Sequence, residues 1–211
     1  TLGVEGVVAL ATDRQEDQAL QTRTRLERVV EQAESEGDTT LLWYVQPMFA
    51  ESELVAGRPG SACARLRHLA ELPGAATIEA LPIFPPLAWA EAETGDLERA
   101  EALLADGISR ATATGHNLAL TDALRVRSLL AMRRERWQEA ADAIEQSLAL
   151  ARAMPYPYAV AKAHYTCGLL HAARGEPELA RARYAEALAI LDALGERPYA
   201  ARVTEALGRL D

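Results

Sequence analysis

The chain is poor in aromatic residues, cysteine and lysine. Aromatic residues make up 5% of its 211 residues, Cys63 and Cys167 are its only cysteines, and Lys162 is its only lysine. The two cysteines form no CxxC pair, so the sequence suggests neither a disulfide framework nor a zinc ribbon. Almost no segment shows the two-residue alternation or the β-branched enrichment of strands. These absences predict an all-α protein in a reducing, cytoplasmic setting.

The chain also has fewer basic than acidic residues, 22 against 31, and lacks the common catalytic motifs. Its formal net charge is -9, which disfavours nucleic acid as a direct partner because phosphate binding depends on clustered lysine and arginine. It contains no GxxxxGK[ST], GxSxG or HExxH motif and no kinase signature. Residues 1–12 are apolar but too short to span a membrane, and we expect a helix there. We therefore predict a segment with no catalytic residues, cofactor, metal or membrane association.

What the sequence does contain is an internal repeat. Ala100, Ala140 and Ala180 lie forty residues apart, and each begins the same apolar pattern. The clearest copy covers residues 167–191, and a fourth copy upstream is spaced by 38 residues instead of forty. A fixed period of this length is typical of stacked helical units. The predicted units of this single repeat domain are about 1–37 (partial), 38–74, 75–115, 116–155, 156–195 and 196–211 (partial cap).

Each unit is predicted to be a pair of antiparallel helices joined by a tight turn. In the clearest copy the first helix should cover about 159–174, and the second should run from Pro177 to about Leu194. Gly57, Gly95 and Gly175 recur at the turn, where a helix C-cap needs positive φ, while Glu135 takes this place in the third copy.

Small residues recur where the two helices of a unit should cross, and a large apolar residue follows in the second helix. Close helix contacts require small side chains, so added bulk would strain the packing. The small residues are Ala50, Ala88, Ser128 and Gly168, facing Ala62, Ala100, Ala140 and Ala180, and the large ones are Leu66, Leu104, Ile144 and Tyr184.

This arrangement resembles the tetratricopeptide repeat family, although that family's unit is about 34 residues long. The resemblance implies a right-handed superhelical solenoid of antiparallel helix pairs. The residues on the family's pattern are Cys167, Gly168, His171, Gly175, Ala180, Tyr184 and Ala187.

Residues 184–210 are similar to the end of the repeat region in large bacterial signal-transducing ATPase regulators of the LuxR or MalT-like kind. This resemblance implies a protein-interaction or signal-sensing region of a transcriptional regulator, and we expect the chain to be part of a larger protein. Its partner would be a protein, a peptide or another domain of the same chain. Exposed apolar faces on the end helices would also allow a homodimer.

The predicted binding surface is the concave groove lined by the first helices of successive units. Arginine can form paired hydrogen bonds with a carboxylate and aromatic residues add rigid apolar area, so such a groove would suit an acidic peptide. An alternative for the arginine-rich stretch 125–136 is salt bridging to neighbouring acidic helices. The candidate groove residues are Trp89, Arg125, Met132, Arg133, Lys162 and Tyr165.

Two other functions remain as alternatives. A small-molecule effector could bind in an aromatic pocket of the groove. A metal-binding enzyme could use His164, Cys167 and His171 as ligands, because their spacing places them on one side of a helix. The repeat pattern favours buried core positions for these three residues.

Overall fold

The computed structural model describes residue 24 and residues 27–210, and every α-helix, 3-10 helix and turn in this part agrees with the all-α prediction. Residues 1–12, for which we expected a helix, lie outside the described residues. The first described helix, α1, includes residues 27–36. A 3-10 helix at Ile78–Ile83 precedes α4. The other helices are α2 (Thr39–Val55), α3 (Pro59–Ala70), α4 (Phe84–Thr94), α5 (Leu97–Thr114), α6 (Asn117–Arg133), α7 (Trp137–Arg152), α8 (Pro157–Ala173), α9 (Pro177–Leu194) and α10 (Arg197–Gly208).

The turns within the predicted units share one backbone conformation. Gly57, Gly95 and Gly175 have φ values of 72°, 103° and 73°. Glu135 has a φ of 55°, and among the described residues it is the only one other than glycine with positive φ. A side chain in this conformation is strained. The third copy therefore keeps the turn geometry of the others without its glycine.

The small residues pack between helices as predicted. Ala50, Ala88, Ala100, Ala140 and Ala180 all have no exposed surface. Close packing leaves no room for water, so the polar member of the set must find a partner inside the protein. Ser128 does so by donating from its hydroxyl to the carbonyl oxygen of Ala140, 2.9 Å away.

Gly168 makes a very close contact in the clearest copy. A Cβ atom built on Gly168 would lie 2.2 Å from Cε1 of Tyr184, and Tyr184 is 1% exposed. The smallest residue in the series thus faces the largest.

The helices form an inner and an outer layer. Consecutive helices pack on each other, and α2, α4, α6 and α8 also pack on one another in that order. Helix α10 packs on α9 and reaches back to α2. We call α2, α4, α6, α8 and α10 the inner layer; α3, α5, α7 and α9 lie outside it. The inner layer therefore encloses a central space.

Among the residues that the structure describes, no helix combines the length and apolar character needed to cross a membrane.

Candidate functional site

A group of four charged side chains occupies one end of the central space. We call Glu51, Asp122, Arg125 and Lys162 the central charge cluster. Lys162 Nζ lies 2.8 Å from Glu51 Oε1 and 2.9 Å from Asp122 Oδ1. Arg125 lies 2.9 Å from Asp122 through Nε and 3.3 Å from Glu51 through Nη2. The cluster therefore joins α2, α6 and α8.

The surroundings keep Asp122, Arg125 and Lys162 ionised. Burial opposes the charged forms of Arg125 and Lys162, but nearby negative charges outweigh it, so the pKa of each is raised. Burial would raise the pKa of Asp122, yet Lys162 and Arg125 lower it overall. Tyr199, which accepts a hydrogen bond from Arg125 Nη1 at 3.4 Å, has its pKa raised by burial to about 12. The cluster is therefore a neutral set of ion pairs beside a neutral phenol.

Arg202 of α10 joins the two ends of the inner layer. Its Nη1 donates to the carbonyl oxygens of Leu54 and Val55 at 2.9 and 3.3 Å. These carbonyls belong to the last turn of α2, where a positive charge is favourable. Its Nε donates to Tyr165 Oη at 3.2 Å, and its guanidinium lies 5.3 Å from the centre of the Trp89 ring. We call this set the α10–α2 contact.

A central cavity of about 770 Å³ lies next to the cluster. Its walls come from the C-terminal halves of α4, α6 and α8, the end of α2, and α10. Arg125 belongs to both the cluster and the cavity lining, so the cluster forms the floor of the cavity. Its lining includes Trp89, Glu93, Arg125, Leu129, Met132, Arg133, Tyr165, Leu169, Arg202, Glu205 and Arg209.

Most of the predicted groove residues meet in this cavity. Trp89, Arg125, Met132, Arg133 and Tyr165 all line it. Lys162 is not among the lining residues, because its ion pairs hold it in the cluster, where it is 5% exposed. The structure thus places Lys162, which we predicted for the groove surface, in the buried cluster beside the cavity.

The sequence reasoning missed the contribution of α10. Arg202 and Arg209 line the cavity, yet this segment was predicted only as a partial cap. The forty-residue spacing could have predicted the positions of these arginines, since Arg202 lies forty residues after Lys162 and Arg209 lies forty residues after Leu169. Extending the register by one more unit would have placed both arginines on the inner layer.

The arginine-rich stretch is engaged mainly in ion pairs. Arg133 lies 2.6 Å from Glu93 across to α4, so the salt-bridge interpretation of this stretch is confirmed even for an arginine that lines the cavity. The remaining pairs are Arg127 with Glu139, Arg134 with Glu101, and Arg136 with Glu101 and Glu139.

His164, Cys167 and His171 each have a local environment of their own. His164 Nδ1 lies 2.8 Å from Glu186 Oε2, and His171 Nδ1 lies 2.6 Å from Glu176 Oε2. Burial lowers the pKa of His164 and raises that of Cys167 to about 11. His164 and Cys167 are buried as expected, whereas the side chain of His171, in the last turn of α8, is 22% exposed. In the described part of the chain no three His, Cys, Asp or Glu side chains are placed to hold a metal ion.

Comparisons with known proteins add evidence on the fold. No protein-family model matches the chain, and no curated protein matches it. Among solved structures it is similar to the crystal structure of BtubC (BKLC) from P. vanneervenii, with 15% sequence identity and a TM-score of 0.55. That likeness covers 100% of this chain and 84% of the other. At this level of identity it supports the arrangement of packed helices and carries no functional assignment.

Proposed function

We propose that the chain is a non-enzymatic signal-sensing or protein-interaction domain of a bacterial transcriptional regulator, built as a right-handed solenoid of tetratricopeptide-like helix pairs. The forty-residue period, the turns with positive φ and the buried small residues between helices support the repeat architecture. The observation that carries the functional proposal is the central cavity, which is lined by five of the six residues chosen from sequence. Its partner is a protein, a peptide or another domain of the parent chain.

The proposed mechanism is a change in the α10–α2 contact on binding. An occupant of the cavity would touch Arg202, whose hydrogen bonds hold α10 against the end of α2. If the occupant binds one spacing of these helices better than another, it shifts the population toward that spacing. A module attached beyond α10 would then experience a different orientation, which is a coupling between two sites.

The proposal is tested by isothermal titration calorimetry of the chain against the other domains of its parent protein. Met132 lines the cavity, so Met132→Glu should weaken binding of a partner that enters it. Leu179→Glu is the matched control, since Leu179 is 52% exposed on α9 and is not a lining residue. Circular dichroism confirms that both variants fold. Equal binding by the two variants, or no binding by the unmodified chain, contradicts the proposal.

The volume of the cavity supports a second candidate, a small-molecule effector. Ligand pockets typically measure roughly 300–1,000 Å³, and this cavity, at about 770 Å³, is of that size. A thermal-shift screen against a metabolite panel tests it, because a ligand at a hundred times its dissociation constant stabilises a protein by about 2.7 kcal/mol. If no metabolite raises the melting temperature, this candidate fails while the protein-partner proposal stands.

A further inference from the structure

The charge of the central cavity is opposite in sign to that of the chain. The chain has a net charge of -9. The cavity lining contains four arginines, Arg125, Arg133, Arg202 and Arg209, and two glutamates, Glu93 and Glu205, which gives a net charge of +2. The cavity is therefore a positive region inside an acidic protein.

Three of these arginines already have carboxylate partners. Arg125 pairs with Asp122 and Glu51 in the central charge cluster. Arg133 pairs with Glu93 at 2.6 Å, and Arg209 Nη2 donates to Glu205 at 2.6 Å. The partners of Arg125 lie outside the lining, so they compensate one of its two excess positive charges and leave one charge unexplained.

Arg202 provides the excess charge. Within the described residues, its partners are the carbonyl oxygens of Leu54 and Val55, the hydroxyl of Tyr165 and the ring of Trp89. None of these partners is a carboxylate. The C-terminal end of α2 carries a partial charge of only about -0.5, so it offsets part of the guanidinium charge. An anion in the cavity would neutralise the rest of the positive charge of Arg202.

The rest of the lining suits an apolar body. Leu129, Met132 and Leu169 are partly buried and line the cavity beside the buried side chains of Trp89 and Tyr165. Pockets that bind small molecules combine mainly apolar walls with a few charged groups that fix orientation. The cavity has both parts.

The floor of the cavity limits the shape of an occupant. The central charge cluster closes the end nearer the start of α6 and α8, and removing Arg125 or Lys162 from its partners would leave buried charges unpaired. An extended peptide running through the inner layer would have to displace that cluster. A compact molecule held among the C-terminal halves of α4, α6 and α8 would not.

We propose that the central cavity binds a small organic anion, with its carboxylate at Arg202 and an aromatic or aliphatic body against Trp89, Met132 and Tyr165. This inference rests on the proposed signal-sensing function and identifies the chemical class of the effector. Arg202 is the residue that distinguishes the anion from a neutral molecule of the same shape, because charge-assisted hydrogen bonds are the stronger ones.

The test compares acids with their neutral amides on the intact chain. The probes are benzoate, naphthalene-2-carboxylate and indole-3-acetate, each paired with its primary amide, and affinity is measured by isothermal titration calorimetry. We expect at least one acid to bind about tenfold or more tightly than its amide. Added salt should weaken binding of the acid more than that of the amide.

Four variants locate the anion. Arg202→Gln should remove the preference for the acid, and Arg209→Gln should reduce it several-fold; the side chain of Arg209 is 71% exposed, so folding should survive that change. Glu205→Gln should have the opposite effect, because it removes a negative charge from the lining. Arg134→Gln is the matched control outside the cavity lining and should bind as the unmodified chain does.

Each other outcome overturns the inference. Equal affinity for acid and amide would reject the anion proposal. It would still be compatible with a neutral effector and with the proposed function. An acid preference that is unchanged in both Arg202→Gln and Arg209→Gln would place the anion elsewhere. Absence of binding by all three acids would reject this class of ligand, while the titration against the parent protein's domains tests the proposed function separately.

Discussion

The contacts within each helix pair and the contacts across the inner layer hold this protein together in different ways. Within pairs, small residues such as Ala100 and Ala140 repeat at one spacing and are fully buried. Across the inner layer, the forty-residue register instead places Asp122, Lys162 and Arg202 at equivalent positions. The first kind of contact is apolar, local and repeated; the second is ionic, long-range and formed once. The helix pairs are therefore packed by similar small residues in every copy, whereas the centre is held by different charged residues at one repeat position.

The largest expected effect comes from breaking the ionic contacts. Lys162→Ala should lower the free energy of unfolding by about 3–5 kcal/mol, because Asp122 and Glu51 would lose the cation between them. The measurement is urea denaturation followed by circular dichroism. Arg183→Ala is the control: Arg183 is 36% exposed and pairs with Glu186, so its loss should cost at most about 1 kcal/mol. A similar cost for both would show that the central charge cluster contributes no more than a surface pair.

A smaller effect is expected at the apolar contact between Gly168 and Tyr184. Gly168→Ala should cost about 1–3 kcal/mol through overpacking, since the new Cβ would meet the buried ring of Tyr184. A double-mutant cycle with Tyr184→Leu sharpens the test, because the copy at Ala88 has leucine at the equivalent position, Leu104. The cost of Gly168→Ala should shrink in the Tyr184→Leu background. An unchanged cost would mean that the ring does not cause it.

The pH dependence of the free energy of unfolding should also reveal the ion pairs of Asp122. The pKa of Asp122 is lowered in the folded chain from an ordinary value of 3.8. As the pH falls, Asp122 therefore takes up a proton in the unfolded chain before it does so in the folded chain. Its contribution to the free energy of unfolding is present above about pH 4 and is lost as the pH falls toward its folded pKa. The stability difference between the unmodified chain and Asp122→Asn, measured in urea at several pH values, should narrow below pH 4. A constant difference would contradict the assigned ion pairs.

The smallest expected effect is a gain at one turn. Glu135→Gly should raise stability by about 1 kcal/mol, because glycine adopts the left-handed conformation without strain. Gln146→Gly is the contrasting control on the exposed side of α7, where glycine should cost up to about 1 kcal/mol. Thermal denaturation of the two variants should therefore shift the midpoint in opposite directions. A loss of stability for Glu135→Gly would show that its side chain makes a compensating contact.

The sequence allowed prediction of the local structure far better than of the centre. Pro177 and Gly175 fixed the start of α9 and the turn before it, and the buried alanines followed from the forty-residue spacing. The role of Lys162 could not be predicted in the same way, because its partner Glu51 is 111 residues distant and the two meet only when several units have stacked. The same holds for Arg202, which contacts Leu54 across 148 residues. Periodicity identifies neighbours along the chain, while these contacts join helices that are distant in sequence and meet only in the complete fold.

The return of α10 to α2 has a consequence for how the chain unfolds. In an open array each unit contacts only its neighbours, so the terminal units can detach while the middle stays intact. Here the terminal helix is secured to the opposite end by Arg202, and releasing it also exposes Trp89 and disturbs Tyr165. We therefore expect the described helices to unfold as one cooperative unit, with the amide hydrogens of α10 exchanging with solvent about as slowly as those of α6.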